Sequence, residues 1–283
     1  MRTGLWPWVV ALIFMWGPVA VASQPEVRVA VVGGLELSGT WQQVETAAEQ
    51  ALGIAVTTIL AAPKEQVVPA FVRGEADLLL IHGGDETFAL QALGYSTPLR
   101  TWGYNAFAFV GPGKDPAGIA QAETGQEAIR RIQETAAPLI AFRDPGSYNI
   151  LQRLLDQAGL IPSQLRLLPD AVPRPQQVLQ QAARDEAYVL VGYIPVAFGK
   201  MSAPGIKLLF TGDPAMRRAY VIATPGPQHP ADTEQREHAE QLAAFLLSPA
   251  GQEILGQSTA PDGEPWIYPK EEAEIPLRRS TAR

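Results

Sequence analysis

The chain contains no cysteine. That excludes a disulfide framework, a thiolate metal site and lipid attachment through cysteine. Histidine is almost as scarce, with only His82, His229 and His238. No P-loop, Gly-x-Ser-x-Gly or His-Glu-x-x-His segment occurs, so the common signatures of nucleotide hydrolysis, serine esterases and zinc proteases are missing. Basic residues are in deficit: 22 Lys and Arg stand against 29 Asp and Glu, a formal charge of −7. That balance argues against nucleic acid or an anionic membrane as partner, although a local site can still bind an anion. Beyond Val21 no run is apolar enough to cross a bilayer.

What is present begins with an export signal. Met1 and Arg2 precede an apolar run from Leu5 to about Val21 that ends in Ala20-Val21-Ala22. A basic start, a short apolar stretch and an Ala-x-Ala site predict a signal peptide over residues 1–22, and hence a periplasmic protein. Pro7, Gly17 and Pro18 interrupt the run and speak against a membrane anchor. With 47% hydrophobic residues in 283, the rest of the chain is long enough for one large domain or two lobes held by their core alone.

Short β-rich runs alternate with helical patterns almost throughout. Residues 27–32 (VRVAVV) predict a buried strand, and a helix over 38–52 follows, with Ser38 as N-cap and Trp41, Val44, Ala48 and Leu52 at helical spacing. Strands at 55–60 and 76–81 enclose a helix at 65–73. The pattern restarts with a strand at 105–110, then helix 123–135, strand 139–143 and helix 148–158. It continues through strand 165–168, helix 176–185 and strands 187–191 and 207–210. A late strand at 219–223 leads into a helix over 234–247. Such alternation predicts an α/β fold with mostly parallel sheets flanked by helices, with segments 105–111 and 218–224 crossing between two lobes.

Ligands of open α/β sheets sit beyond the carboxyl ends of the strands. That rule selects the loops at Gly33–Ser38, His82–Asp85, Arg143–Tyr148 and Gly192-Tyr193. Gly33 and Gly34 can turn backbone N–H groups toward an anion, or simply make a tight turn. Arg143, at the end of an apolar strand, can grip an oxyanion bidentately with Ser147 beside it, or pair with Asp144 or another carboxylate. His82 with Asp85 and Glu86 is the one cluster that could hold a metal or act as an acid–base pair; a structural histidine looks the same. Glu36 could meet the amine of an amino acid. Nothing calls for a cofactor.

Four segments carry a family likeness: 76–83 (ADLLLIHG), 104–119 (YNAFAFVGPGKDPAGI), 212–214 with 220–223, and 245–254 (FLLSPAGQEI). Through them the chain resembles the periplasmic tungstate-binding proteins of ABC importers, in the type II periplasmic-binding-protein superfamily. The resemblance implies a monomer of two lobes, 23–107 with 220–283 and 108–219, closing on a small anion such as tungstate or molybdate for delivery to an ABC permease. It implies a ligand site at Gly33, Gly34, Ser38, His82, Arg143, Ser147 and Tyr193, with no catalytic residue. Where that family carries a Thr-Thr-Ser cluster this chain has Val32-Gly33-Gly34, and where it carries Thr-Asp-Arg this chain has Val191-Gly192-Tyr193. Two of three polar clusters therefore lack their side-chain donors. This departure leaves two further readings open: a carboxylate or amino-acid ligand, or a sensor module whose partner is a receptor.

Overall fold

The computed structural model describes residues 24–261 and 263–270. The expected signal peptide lies outside them, as does the basic tail at Arg278, Arg279 and Arg283. Among the described residues no helix is long and apolar enough to cross a membrane.

The chain opens with β1 (Glu26–Val32), α1 (Gly33–Leu37), α2 (Thr40–Leu52), β2 (Ala55–Ala62), α3 (Lys64–Val72), β3 (Leu78–His82) and α4 (Asp85–Ala92). β1 lies between β2 and β3, parallel to both. Such a central strand is buried on both faces, which explains its nearly unbroken apolar run. The exception is Arg28, whose Nε donates to Asp77 Oδ2 at 2.9 Å and whose Nη2 donates to Oδ1 at 2.6 Å. Asp77 also accepts from the Arg28 backbone N–H, so the buried carboxylate is satisfied and the start of β3 is tied to β1.

A second parallel triad follows. β4 (Arg100–Pro112) leads through α5 (Gly125–Glu134), β5 (Leu139–Ala141), α6 (Pro145–Ala158), β6 (Leu167–Pro169), α7 (Val178–Asp185), β7 (Tyr188–Gly192) and α8 (Tyr193–Ala197). β5 is parallel to β6 and β7. The chain then runs through β8 (Ile206–Phe210), β9 (Arg217–Ala223), α9 (Thr233–Leu247), α10 (Pro249–Gln257) and β10 (Tyr268–Pro269). The strand order β2-β1-β3-β9-β4-β7-β5-β6 shows how the halves join. β4 pairs antiparallel with β9 as far as Ala106, then with β7 from Phe107 onward. One long strand thus serves both sheets, and β9 returns the chain beside it.

Each half packs its own core. Trp41, Leu78 to Ile81, Trp102 and Leu246 belong to the first, whereas Phe109, Ile129, Leu154 and Tyr188 fill one face of the second sheet. Burial of this kind, at about 25 cal/mol per Å² of apolar surface, lets a cysteine-free chain stand without cross-links.

One local expectation is corrected. Ser38 does not cap a helix running to residue 52; it ends α1, and Gly39, at φ 72°, opens α2. The left-handed backbone of Gly39 turns the chain out of one helix and into another, a conformation that costs a residue with a Cβ. The Ser38 hydroxyl instead donates to the Leu35 carbonyl at 3.0 Å.

Candidate functional site

The carboxyl ends of β1, β3, β5 and β7 and the crossing of β4 with β9 surround one cleft of about 720 Å³. Its walls are largely apolar, with Val32, Ile81, Phe107, Phe142, Ile194 and Met201 among the lining residues. Its charged lining is basic despite the acidic chain: Lys64, Arg143, Lys200 and Arg218 face Glu65 and Asp144.

Of the residues selected from sequence, Gly33, Gly34, His82, Arg143 and Ser147 line this cleft and Ser38 and Tyr193 do not. Gly33 and Gly34 form the first turn of α1 rather than an open loop. A Cβ at Gly33 would meet nothing within 4 Å, and one at Gly34 would stand 3.4 Å from the Tyr220 hydroxyl. Tyr193 turns inward, 5% exposed, with its ring 5.7 Å from Trp266.

Two residues reach the cleft with some of their polar groups already engaged. Arg143 donates from Nη2 to the Val172 carbonyl at 2.7 Å, and its Nε lies 3.5 Å from the buried carboxylate of Asp170. Of the two roles its position allowed, pairing with a carboxylate is present, and the partner is Asp170 rather than Asp144. Ser147 gives both its backbone N–H and its hydroxyl to Asp144 Oδ2, at 2.8 and 3.1 Å. Asp144 is the N-cap of α6, so a carboxylate of the protein already sits at that helix N-terminus.

His82 stacks on Tyr220, ring centroids 4.4 Å apart. Burial, and then the positive charges of Arg218 and Lys64, push its pKa down to about 3. It therefore faces the cleft as neutral imidazole at physiological pH. Glu86 is bonded to Lys64, and no cluster of three or more metal-ligating side chains exists among the described residues. The metal reading of His82, Asp85 and Glu86 thus has no constellation behind it among the described residues.

Arg218 and Asn105 carry the geometry that sequence reading passed over. Arg218, on β9, donates from Nε and Nη2 to the Gly83 carbonyl, at 3.2 and 3.0 Å. A Cβ at Gly84 would lie 3.2 Å from its Nη2, and one at Gly146 only 2.7 Å from its Nη1. The guanidinium is threaded between glycines of opposite halves, a passage that any side chain at residue 146 would block. Among the described residues no carboxylate forms an ion pair with it. Burial lowers its pKa, and the nearby charges of Asp144, Tyr220 and Glu86 partly oppose that shift. Asn105 is its direct partner across the β4–β9 ladder. It is 7% exposed, and its side-chain oxygen has no hydrogen-bond partner. The one available sequence signal was the Arg217-Arg218 pair opening an otherwise apolar strand at a lobe crossing.

A family model for bacterial extracellular solute-binding proteins matches residues 27–258. The chain belongs to that family. This bacterial extracellular solute-binding protein is also 27% identical over 208 residues to a Haloferax volcanii protein named for anion binding in an ABC transporter, with 72% of the chain aligned. It spans 60% of that relative's length. Among solved structures it is similar to the tungstate-binding protein TupA of Desulfovibrio alaskensis G20, with a TM-score of 0.69 at 20% identity, over 87% of this chain and 98% of that one. A tungstate ABC transporter structure from Geobacter sulfurreducens gives a TM-score of 0.64 at 22% identity, over 82% and 98%. These likenesses show the type II periplasmic-binding-protein fold.

Proposed function

We propose that this solute-binding protein is exported to the periplasm, captures a small anion in the cleft between its halves and delivers it to an ABC permease, with no chemistry of its own. The observation that supports this reading most directly is Arg218, a half-buried cation without an ion-pair partner among the described residues. It touches both halves at once, so an anion seated on it gains contacts only when the halves come together. A ligand that interacts differently with open and closed states shifts their populations, which is the basis of hinge closure. Residues 23–107 with 220–283, and 108–219, are the two bodies that would move. The relatives' names support an anion, with tungstate- and molybdate-type oxyanions the first class to test.

Gly33 and Gly34 would supply close backbone approach, His82 a neutral imidazole, and Arg143 and Ser147 the rim opposite. Ser38 and Tyr193 have no part in this proposal, because neither lines the cleft. The test is calorimetric titration of the exported protein with oxyanions and small carboxylates, paired with Arg218→Ala. Binding by the wild type and at least a 100-fold loss in the variant support the reading. Undiminished affinity in Arg218→Ala refutes it.

A further inference from the structure

The cleft's shape, charge and unpaired polar groups narrow the class of anion, granted that the cleft is an anion receptor as proposed above. A tetrahedral oxoanion occupies roughly 120 Å³, counting each oxygen at the ~30 Å³ of a water. The cleft is several times larger. Such an anion also carries two charges and presents four oxygens, and discrimination for it rests on leaving none of them unpaired. Here the donors are few. Ser147 is engaged by Asp144, Arg143 in part by Val172 and Asp170, and the strand ends at Val32 and Gly192 bring no side-chain hydroxyl. Arg218 and Lys200 line the cleft without an ion pair among the described residues, and the Asp144 carboxylate is close enough to Arg218 to oppose a second negative charge on a ligand seated there.

Two polar side chains of the cleft stand side by side where the halves join. Arg218 and Asn105 face each other in register across β9 and β4, where directly opposed side chains share one face of the sheet. Both line the cleft. The buried Asn105 oxygen lacks a partner; it accepts and cannot bond a carboxylate, so the Asn105 group that can meet an anion is its Nδ2 amide. An amide offers both a donor and an acceptor, and a guanidinium presents a planar fork of N–H groups. Around this pair stand Val32, Ile81, Phe107, Phe142, Ile194 and Met201, which offer contact area and no side-chain hydrogen bonds. Clefts of this size with apolar walls and a few placed polar groups suit organic ligands.

We infer that this protein takes a monoanionic organic acid, its carboxylate gripped by Arg218 and Asn105 and its apolar body laid against the cleft walls. With the Nε–Nη2 edge of Arg218 held by the Gly83 carbonyl, the planar carboxylate would meet the Nη1–Nη2 edge bidentately. The apolar body replaces water over the six wall residues, a contribution that an oxoanion cannot make.

Titration of the exported protein with acetate, benzoate, 3-phenylpropionate, 3-phenylpropionamide, sulfate and tungstate tests the assignment. Affinity is expected to rise from acetate to 3-phenylpropionate, to fall at least 100-fold on exchanging the carboxylate for the amide, and to be undetectable for sulfate and tungstate. Arg218→Lys keeps the charge without the fork and should lose at least 10-fold for 3-phenylpropionate; Asn105→Ala should also weaken it, while unchanged thermal unfolding of the free variants shows that both remain folded. Tungstate or sulfate binding more tightly than every carboxylate overturns the organic-acid assignment and leaves anion capture standing. Silence from all six ligands overturns anion capture as well. Equal affinity for the acid and its amide, or a wild-type response in Arg218→Lys, removes the carboxylate clamp.

Discussion

His82 faces the cleft with its charge suppressed, and the cause is local. Its ring lies flat on Tyr220, with Arg218 and Lys64 adding positive charge nearby. A pKa of about 3 in the fold, against about 6.5 for a free histidine, means that the unfolded chain takes up a proton that the folded one refuses. Stability is therefore independent of His82 above about pH 6.5. It declines as pH falls from there toward 3, by at most ~1.4 kcal/mol per pH unit and less for a ring in contact with cleft water. Urea unfolding between pH 7 and pH 5 should show a shallower decline in His82→Gln than in the wild type. Parallel slopes would mean that the ring is protonated in the folded protein. The scarcity of histidine drew notice to His82 in the sequence, but the stack that settles its state is a contact with a residue 138 positions away. Arg218 was missed for a related reason. Its role depends on Gly84 and Gly146, far from it in the chain, leaving just enough room for a guanidinium.

At the scale of elements, α6 concentrates the chemistry. Asp144 caps it in two ways, through the N–H and the hydroxyl of Ser147, and the same carboxylate opposes an anion at Arg218. The two effects separate by substitution. Asp144→Ala removes cap and charge together and should cost about 1 kcal/mol of stability. Asp144→Asn keeps an oxygen for the cap and removes the charge. It should leave unfolding within a few tenths of a kcal/mol and tighten carboxylate binding several-fold, since a neighbouring like charge is gone. A zwitterionic ligand would respond in the opposite direction, because its amine would lose the Asp144 carboxylate. The sign of the change in titrations with 3-phenylpropionate and with phenylalanine thus tells a simple acid from an amino acid. Much of this element was readable: Asp-Pro followed by an apolar periodicity marks a helix start. The division of α1 from α2 was not, because a serine before a glycine looks like an N-cap until the positive φ of Gly39 is known.

For the molecule as a whole, sequence alternation conveyed the two parallel triads, since each βα unit announces itself within about thirty residues. The antiparallel joins of β4 with β9 and β7 are pairings over long sequence distances; the alternation marked 105–111 and 218–224 as crossings, but no local pattern encodes their antiparallel register. The same holds for a contact that bridges the halves away from the cleft. Trp266, packed in the first core, receives the ring of Tyr193 at 5.7 Å and that of Phe198 at 4.6 Å, both from α8 and its end in the second half. Ile194 and Pro195 of the same helix line the cleft, so α8 couples cleft wall and inter-half contact. Aromatic pairs of this sort contribute roughly 0.5–1.5 kcal/mol beyond their buried area. Phe198 is 38% exposed and outside the cleft, so Phe198→Ala should spare the fold and weaken the hold of one half on the other. A closed state disfavoured by that amount lowers the competent population, and apparent affinity with it, by up to about 10-fold. X-ray scattering of the ligand-free variant should give a larger radius of gyration than the wild type. Saturating 3-phenylpropionate should restore the wild-type value, because the ligand then supplies the closing energy that the ring contact no longer does. A variant whose radius and affinity both equal those of the wild type would show that α8 rests on Trp266 without governing closure.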